Sequence, residues 1–322
     1  MAAAPTKPIY IFSHARVSSN LFVRVISEHP QLSLKKYAFD EAFMWGPEYL
    51  TARRTPEIAE NRESQSEENK AMTYQMALDK IVEFIDKTRT EGKVPVLKDH
   101  TYYLLDPQTV AANFQISAER EILPTPKVTC KLPTDSIKSD TQPPVVLPPA
   151  FLVSLTPVFL IRDPIRFVPS YYKAGVDSIG VRVGDPDWAV NATLKGSRLL
   201  YDWYKEQGIS PMIIDAKELV HQTENVTKEF CERAGVDKGG VITKWETSKN
   251  TSVHADTWFS SLGGSTGIDT SLEPMESNMD EEYKKLAAKW GEEVAEGLKV
   301  WVEAAQEDYL YLRRNAVCVG SS

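Results

Sequence analysis

Three short segments of the chain carry residues that could bind an anion or move a proton. The first is the polar loop from Ser13 to Asn20, which contains one arginine. The second runs from Lys98 to His100, and the third begins at Arg162, with Ser170 eight residues further on. Arginine and serine suit phosphate binding, whereas lysine and histidine suit charge stabilisation and proton transfer. These residue types together indicate a phosphate site beside a reaction centre.

The loop from Ser13 to Asn20 joins a predicted strand, Ile9 to Phe12, to a predicted helix, Leu21 to His29. At such a junction the backbone N–H groups and the helix dipole favour an anion. Arg16 supplies a cation, but the loop has no glycine and no GxxxxGK[ST] pattern, which disfavours an NTPase. Polar side chains also stand at the helix start: Ser18, Ser19 and Asn20. An ordinary N-cap, with serine or asparagine satisfying the first amides, is the alternative interpretation.

Lys98 and His100 stand at the end of a short predicted strand, Val94 to Leu97. Because side chains alternate along an extended chain, we expect these two on one face and Asp99 on the other. A cation and a titratable imidazole would then flank one reaction centre. A histidine that makes only structural hydrogen bonds is the alternative.

Arg162 follows an apolar predicted strand, Val158 to Ile161. A guanidinium can bind phosphate through two hydrogen bonds, and Ser170 on the next helix can donate a third. Asp163 as a helix cap, with Pro164 at the first helical position, is compatible with this function.

Strands alternate with helical patterns along the chain, which predicts an α/β fold with a parallel sheet. A fourth strand is predicted from Pro211 to Ile214. Helical patterns are predicted around 78–85 and at 170–174, 189–206 and 223–234. We expect a single domain over 1–322, with a Pro-rich inserted loop at 117–150 that acts as a mobile lid, and a helical segment at 281–314.

The composition is that of a globular protein, with 322 residues, 42% hydrophobic and 25% charged. A net charge of −8 argues against a general nucleic-acid or membrane-surface partner, so an anionic ligand needs a local basic site. Cys130, Cys231 and Cys318 lack metal-ligand spacing, so we expect reduced thiols and no metal site. With no signal peptide or membrane anchor in the pattern, we expect a cytoplasmic protein.

Order and spacing of the three segments resemble the P-loop sulfotransferases, which use 3'-phosphoadenosine 5'-phosphosulfate (PAPS). Their 5'-phosphosulfate loop is similar to Ser13 to Asn20, in the version of microbial members with arginine at the basic position, here Arg16. Their 3'-phosphate motif resembles Arg162-Asp-Pro with Ser170. Their catalytic strand resembles Lys98-Asp-His100 and the Leu-Leu and Pro that follow it. The stretch from Met212 to Leu219, with the helix ending at Gly235, is a fourth match.

The resemblance implies a P-loop-type parallel sheet flanked by helices, and transfer of a sulfuryl group from PAPS to a hydroxyl of a small-molecule acceptor without a metal. His100 is implied as the base, which must be neutral at working pH, while Lys98 and Arg16 stabilise growing charge. Residues implied to bind PAPS are Arg16, Val17, Ser18, Ser19, Asn20, Arg162 and Ser170. Ser265 and Thr266 lie in a loop, Ser261 to Gly267, that would close over the nucleotide, with Trp258 or Phe259 against the base.

The acceptor is expected to meet an apolar wall of aromatic residues near the loop and the catalytic strand: Phe43, Trp45, Tyr102 and Tyr103. The chain departs from the family at Ala216, where many cytosolic members carry an adenine-contacting tyrosine, and it lacks the family's Arg-Lys-Gly motif. A small-molecule kinase with a degenerate phosphate loop and a catalytically silent nucleotide-binding protein are the alternatives.

Overall fold

The computed structural model describes residues 6–53, 55–114, 122–133, 136–247 and 264–317. Within this part of the chain, five parallel strands form one sheet in the order β2-β3-β1-β4-β5. Their bounds are β1 Ile9–Ser13, β2 Leu32–Lys36, β3 Val94–His100, β4 Thr156–Ile161 and β5 Met212–Asp215. The predicted parallel α/β fold is therefore confirmed. The edge strand β2 was not predicted, because its five residues are short, lysine-rich and only partly buried.

Helices cover both faces of the sheet, as the fully buried strands β1 and β3 require. Their bounds are α1 Ser19–Ile26, α2 Asp40–Met44, α3 Pro56–Glu63, α4 Glu67–Lys70, α5 Tyr74–Thr90, α6 Thr101–Leu104, α7 Pro107–Asn113, α8 Pro149–Val153, α9 Pro164–Gly175, α10 Trp188–Asn191, α11 Lys195–Glu206, α12 Ala216–His221, α13 Thr223–Ala234, α14 Met279–Trp290 and α15 Glu292–Arg313. Short 3₁₀ turns follow at Lys238–Gly240 and Thr270–Leu272. No helix among these described residues is long and apolar enough to cross a lipid bilayer.

The register of the central strands places the start of the loop after β1 beside the end of β3. Ser13, the last residue of β1, pairs with His100, the last residue of β3. Because all strands point the same way, the loop after β1, the end of β3 and the residues after β4 share one edge of the sheet.

The carboxyl-terminal helical segment was predicted as one segment at 281–314, whereas the structure has two helices there. It consists of α14 and α15, which meet at Gly291. That glycine has a φ of 89°, a conformation outside the helical region that a glycine adopts without strain. The apolar periodicity continues across the break, which is why the sequence pattern did not reveal it.

The described parts of the Pro-rich insertion are attached to helices beside the sheet. The Thr129 amide donates to Gln75 Oε1 on α5 at 2.8 Å, and the Lys138 amide donates to Gln207 Oε1 at 2.9 Å. The Trp203 indole N–H on α11 donates to the Thr141 carbonyl at 2.9 Å. The described parts of the segment are thus attached at Thr129, Lys138 and Thr141, and its closure as a lid stays a prediction.

Candidate active site

A cavity of about 1170 Å³ opens at the carboxyl ends of the strands. Most of the residues predicted to carry chemistry line it: Arg16, Ser18, Ser19, Asn20, Phe43, Trp45, His100, Tyr102, Tyr103, Arg162, Ser170 and Ser265. Polar groups that converge in a large, mostly apolar cavity at this edge of an α/β sheet are typical of a ligand site.

The loop after β1 has the backbone geometry of an anion site. Arg16 and Ser18 adopt left-handed φ angles of 67° and 61°, which non-glycine residues rarely do. Such turns direct successive N–H groups into one concavity. Ser18 is the N-cap of α1, yet its side chain makes no capping hydrogen bond. The ordinary N-cap interpretation is therefore wrong for Ser18, and its side chain does not satisfy the first amides of α1.

Val17 has its side chain in the hydrophobic core rather than in the cavity. It is 0% exposed and belongs to the core cluster beneath the loop. Among the predicted PAPS-binding residues, Val17 can therefore contribute only its backbone.

Two partly buried arginines and a serine meet beside this loop. Arg16 Nε donates to Ser170 Oγ at 2.9 Å, and Arg162 Nη1 donates to the Arg16 carbonyl at 2.8 Å. Burial lowers the pKa of the Arg16 guanidinium, and the charge of Arg162 lowers it further. Two cations held this close, with their water removed, create a local positive field that an anion would offset.

Arg162 also forms an ion pair with Glu273, which sequence reasoning missed. Glu273 is 3% exposed and follows the loop that contains Ser265. Burial raises the pKa of its carboxyl, while the Arg162 charge opposes the rise. Because the two residues are 111 positions apart, no local pattern could have revealed this pair.

His100 is held by a directional chain of hydrogen bonds. Ser13 Oγ lies 3.0 Å from His100 Nδ1 and 3.1 Å from the Asp99 carbonyl oxygen. Because a carbonyl can only accept, we assign the single hydroxyl hydrogen of Ser13 to the bond with Asp99 and the hydrogen between Ser13 and His100 to Nδ1. This assignment makes the neutral tautomer carry its hydrogen on Nδ1 and leaves Nε2 as the acceptor.

The environment of His100 also keeps the imidazole neutral. Burial is the main cause that lowers its pKa well below the ordinary value, and the charge of Lys98 adds to the effect. Tyr102 stacks on the ring at a centroid distance of 5.1 Å, and Tyr37 and Tyr103 contact it at 5.2 and 5.1 Å. The His100 imidazole that lines the cavity is thus neutral, and three tyrosine rings surround it.

Lys98 does not line the cavity, although it lies on the predicted face of β3. Its Nζ lies 3.6 Å from the centroid of the Tyr37 ring and has no hydrogen-bond partner among the described residues. Burial lowers the pKa of this ammonium group well below its ordinary value. Asp99 points the other way, where Tyr10 donates to it at 2.9 Å. The predicted alternation is therefore correct, but Tyr37, not Lys98, forms the cavity surface.

Three cavity residues have no signal in the local pattern. Tyr37 donates from its hydroxyl to Asn20 Oδ1 at 3.0 Å, so it joins the acceptor wall to the phosphate loop. Asp40 starts α2 and faces the aromatic wall. Arg53 is 3% exposed and lies 3.2 Å from Asp185 Oδ2. Each lies in a loop or a short helix, where the hydrophobic pattern spans too few residues to show which way a side chain points.

The predicted nucleotide-closing loop is only partly described. Ser265 lines the cavity and accepts a hydrogen bond from the Trp245 indole at 3.3 Å. Thr266 is not among the described lining residues, and its carbonyl accepts from the Trp245 amide at 3.0 Å. Trp258, Phe259 and residues 261–263 lie outside the described residues.

The candidate site thus consists of the loop after β1 and a buried histidine at the carboxyl edge of a parallel α/β sheet. Comparison with known proteins shows similarity to two relatives that are each named sulfotransferase ppzF. The one from Metarhizium majus (strain ARSEF 297) is 27% identical over 339 residues, covering 97% of this chain and 98% of that protein. The one from Metarhizium rileyi (strain RCEF 4871) is 27% identical over 342 residues, covering 97% of each. The predicted resemblance to the sulfotransferases is confirmed.

Two solved structures also match, at low similarity. The crystal structure of a sulfotransferase from Alicyclobacillus acidocaldarius is 13% identical, with a TM-score of 0.40 over 93% of this chain and 97% of that one. The sulfotransferase domain of the Synechococcus PCC 7002 olefin synthase is 12% identical, with a TM-score of 0.35 over 94% and 96%. No family model matches the chain.

Proposed function

We propose that the protein transfers the sulfuryl group of PAPS to a hydroxyl of a small-molecule acceptor, with His100 as the base. The observation that carries this proposal is that one cavity holds both an anion loop with Arg16 and a neutral imidazole whose acceptor nitrogen is Nε2. Similarity to two named sulfotransferases over nearly the whole chain supports it.

The donor would bind where the positive groups converge. Arg16 and the first amides of α1 suit the phosphosulfate, because they combine a cation, a helix dipole and N–H groups not capped by Ser18. Arg162 and Ser170 suit the 3'-phosphate, since a guanidinium and a hydroxyl can share one phosphate group. Selecting this phosphate would distinguish PAPS from ordinary adenylates.

The transfer balances without a metal ion. A bond forms between the acceptor oxygen and sulfur while the bond from sulfur to the 5'-phosphate oxygen breaks, and the acceptor proton moves to His100 Nε2. The products are a sulfate ester and adenosine 3',5'-bisphosphate. Arg16 would stabilise charge on the leaving phosphate, whereas Lys98 would act through space from behind Tyr37. A cytoplasmic location is part of this proposal, supported by the free thiols of Cys130 and Cys231.

The first experiment separates donor classes by ligand-induced stabilisation. We expect PAPS and adenosine 3',5'-bisphosphate to raise the melting temperature, because a ligand that binds only the folded state stabilises it. Magnesium-ATP should raise it much less. Stabilisation by magnesium-ATP alone would favour the kinase and overturn the proposal.

The second experiment tests the assigned residues. His100→Ala should lower turnover by about a hundredfold or more while bisphosphate affinity stays within about twofold, since a base acts mainly in the transition state. Bisphosphate binding in an unaltered protein that has no transfer activity with any acceptor would instead favour the silent binder.

Arg162→Ala should weaken the binding of the 3',5'-bisphosphate far more than the binding of the 5'-monophosphate, with exposed Arg314→Ala as the matched control. Equal losses for both ligands would remove Arg162 from the 3'-phosphate.

A further inference from the structure

One wall of the cavity combines aromatic rings with a single carboxylate. The lining residues between positions 37 and 45 and between 100 and 103 are Tyr37, Asp40, Phe43, Met44, Trp45, His100, Tyr102 and Tyr103. Asp40 is the one acidic side chain in this set. The basic lining residues lie on the loop after β1, before α3, after β4, on α9 and on α14: Arg16, Arg53, Arg162, Arg166, Lys173, Lys285 and Lys289. The wall beside the proposed base thus carries one carboxylate among aromatic rings, and none of its described lining residues is a lysine or an arginine.

Asp40 is connected to the proposed base through one tyrosine. The Tyr103 hydroxyl donates to the Asp40 carboxylate. The Tyr103 ring lies 5.1 Å from the His100 ring and 4.8 Å from the Phe43 ring, measured between centroids. Asp40 and His100 thus contact the same tyrosine and line the same cavity, so one bound molecule can reach both.

The charge of Asp40 is not balanced by an ion pair within the part of the chain that the structure describes. The nearest cation that acts on it is Lys98, whose ammonium group lies against the Tyr37 ring rather than on the carboxylate. Burial raises the Asp40 pKa to about 6, so the group is mostly ionised above neutral pH but at a cost in desolvation. A cationic ligand would remove this cost, whereas a neutral ligand would leave it in place.

We infer that the acceptor carries a cationic nitrogen in addition to its nucleophilic hydroxyl, and that Asp40 and the surrounding aromatic rings recognise this cation. A carboxylate supplies a charge-assisted hydrogen bond, and the faces of tyrosine and tryptophan attract a cation through their ring quadrupoles. The inference rests on the proposed function, because it assigns the wall beside His100 to the acceptor.

The test compares two probes that differ in one charged group. Tyramine and 4-propylphenol share a phenol and a three-atom side chain, which ends in an ammonium group in the first and a methyl group in the second. Their dissociation constants are measured by calorimetry at pH 7.5, with and without adenosine 3',5'-bisphosphate. We expect the wild-type protein to bind tyramine at least about tenfold more tightly, the scale of one charge-assisted contact.

Two variants locate the source of this preference. Asp40→Asn should reduce the ratio to within about twofold, because the amide keeps the shape and loses the charge. Glu41→Gln is the matched control, since Glu41 is the adjacent carboxylate and is not among the described lining residues, and it should keep the wild-type ratio. Equal or weaker binding of tyramine, no binding of either probe, or a ratio that survives in Asp40→Asn would overturn the inference.

The same measurements keep this inference separate from the proposed function. The probe ratio needs no turnover, so it is read in the wild-type protein even if the Asp40→Asn chain does not fold. Lack of bisphosphate binding, with the tyramine preference intact, would count against the PAPS proposal alone. Bisphosphate binding and transfer to neutral alcohols, without any tyramine preference, would count against the cationic acceptor alone.

Discussion

At the residue scale, the proposed proton transfer to His100 depends on which imidazole nitrogen carries the hydrogen. The chain from His100 Nδ1 through Ser13 Oγ to the Asp99 carbonyl uses the only hydrogen that Ser13 can donate. It leaves Nε2 as an acceptor. Burial holds the imidazole neutral, so the base does not have to lose a proton before the reaction. Ser13 is therefore a positioning residue, and it acts through His100.

Ser13→Ala tests this role by removing the acceptor for Nδ1. We expect kcat to fall by about tenfold to a hundredfold, because the imidazole can then adopt the tautomer with hydrogen on Nε2. Bisphosphate affinity should stay within about twofold, and exposed Ser27→Ala should change neither quantity. Nitrogen-15 spectra of histidine-labelled protein, with the signal assigned through His100→Ala, report the tautomer directly. A wild-type spectrum with hydrogen on Nε2 would contradict the assignment.

The pH dependence of the reaction follows from the same residue. A base must be deprotonated to accept a proton, and burial lowers the pKa of His100 well below its ordinary value of 6.5. We therefore expect the loss of kcat/KM that His100 protonation causes on acidification to lie below pH 6.5. A kcat/KM profile with an acidic midpoint above that value, assigned to His100 by the nitrogen-15 signal, would show that the imidazole is not held neutral.

At the element scale, the segment from residue 264 to residue 278 contacts the sheet edge through one ion pair and several hydrogen bonds to its backbone carbonyls. Glu273 pairs with Arg162, and its carbonyl accepts from His221 at 2.6 Å. The Lys217 ammonium donates to the Met275 carbonyl at 2.6 Å. In the proposed function the same Arg162 binds the 3'-phosphate, so the Glu273 carboxylate and the phosphate compete for one guanidinium.

Glu273→Gln should remove this competition. We expect the affinity for adenosine 3',5'-bisphosphate to rise by about threefold to tenfold, because like charges near one cation repel each other. Glu276→Gln is the matched control, since Glu276 is exposed and lies in the same segment. Isothermal titration calorimetry measures both variants. Weaker binding in Glu273→Gln would show that the carboxylate orients Arg162 for the phosphate instead of competing with it.

At the scale of the whole molecule, two buried carboxyls connect distant parts of the chain and make stability depend on pH. Asp99 accepts from Tyr10 at 2.9 Å and Asp215 accepts from Tyr309 of α15 at 2.8 Å. Burial raises the pKa of each to about 7 from the ordinary value of 3.8. Between these values the folded protein holds protons that the unfolded chain releases. The contribution of these two carboxyls to the free energy of unfolding therefore falls as pH rises through this window, and levels off above it.

Asp99→Asn should make this dependence weaker. Each such carboxyl lowers the free energy of unfolding by up to about 1.4 kcal/mol per pH unit inside the window, and an amide does not titrate there. Urea unfolding at pH 5 and pH 7.5 measures the difference, with exposed Asp140→Asn as the control that should keep the wild-type dependence. If the free energy of unfolding rose equally from pH 5 to pH 7.5 in the wild type, Asp99→Asn and Asp140→Asn, this result would contradict the raised pKa of Asp99.

The sequence by itself determined four of the five strands, the parallel sheet, and the segments that reach the edge with the candidate site. These features depend on short-range patterns: apolar runs for β1, β3 and β4, and alternation that sets Lys98 and His100 apart from Asp99. Tertiary structure alone decided which side chains meet. Ser13 contacts His100 across 87 positions. Glu273 reaches Arg162, and Tyr37 covers Lys98, from other elements of the fold. Such pairs depend on how the elements pack, a property of the whole chain that no window of neighbouring residues contains.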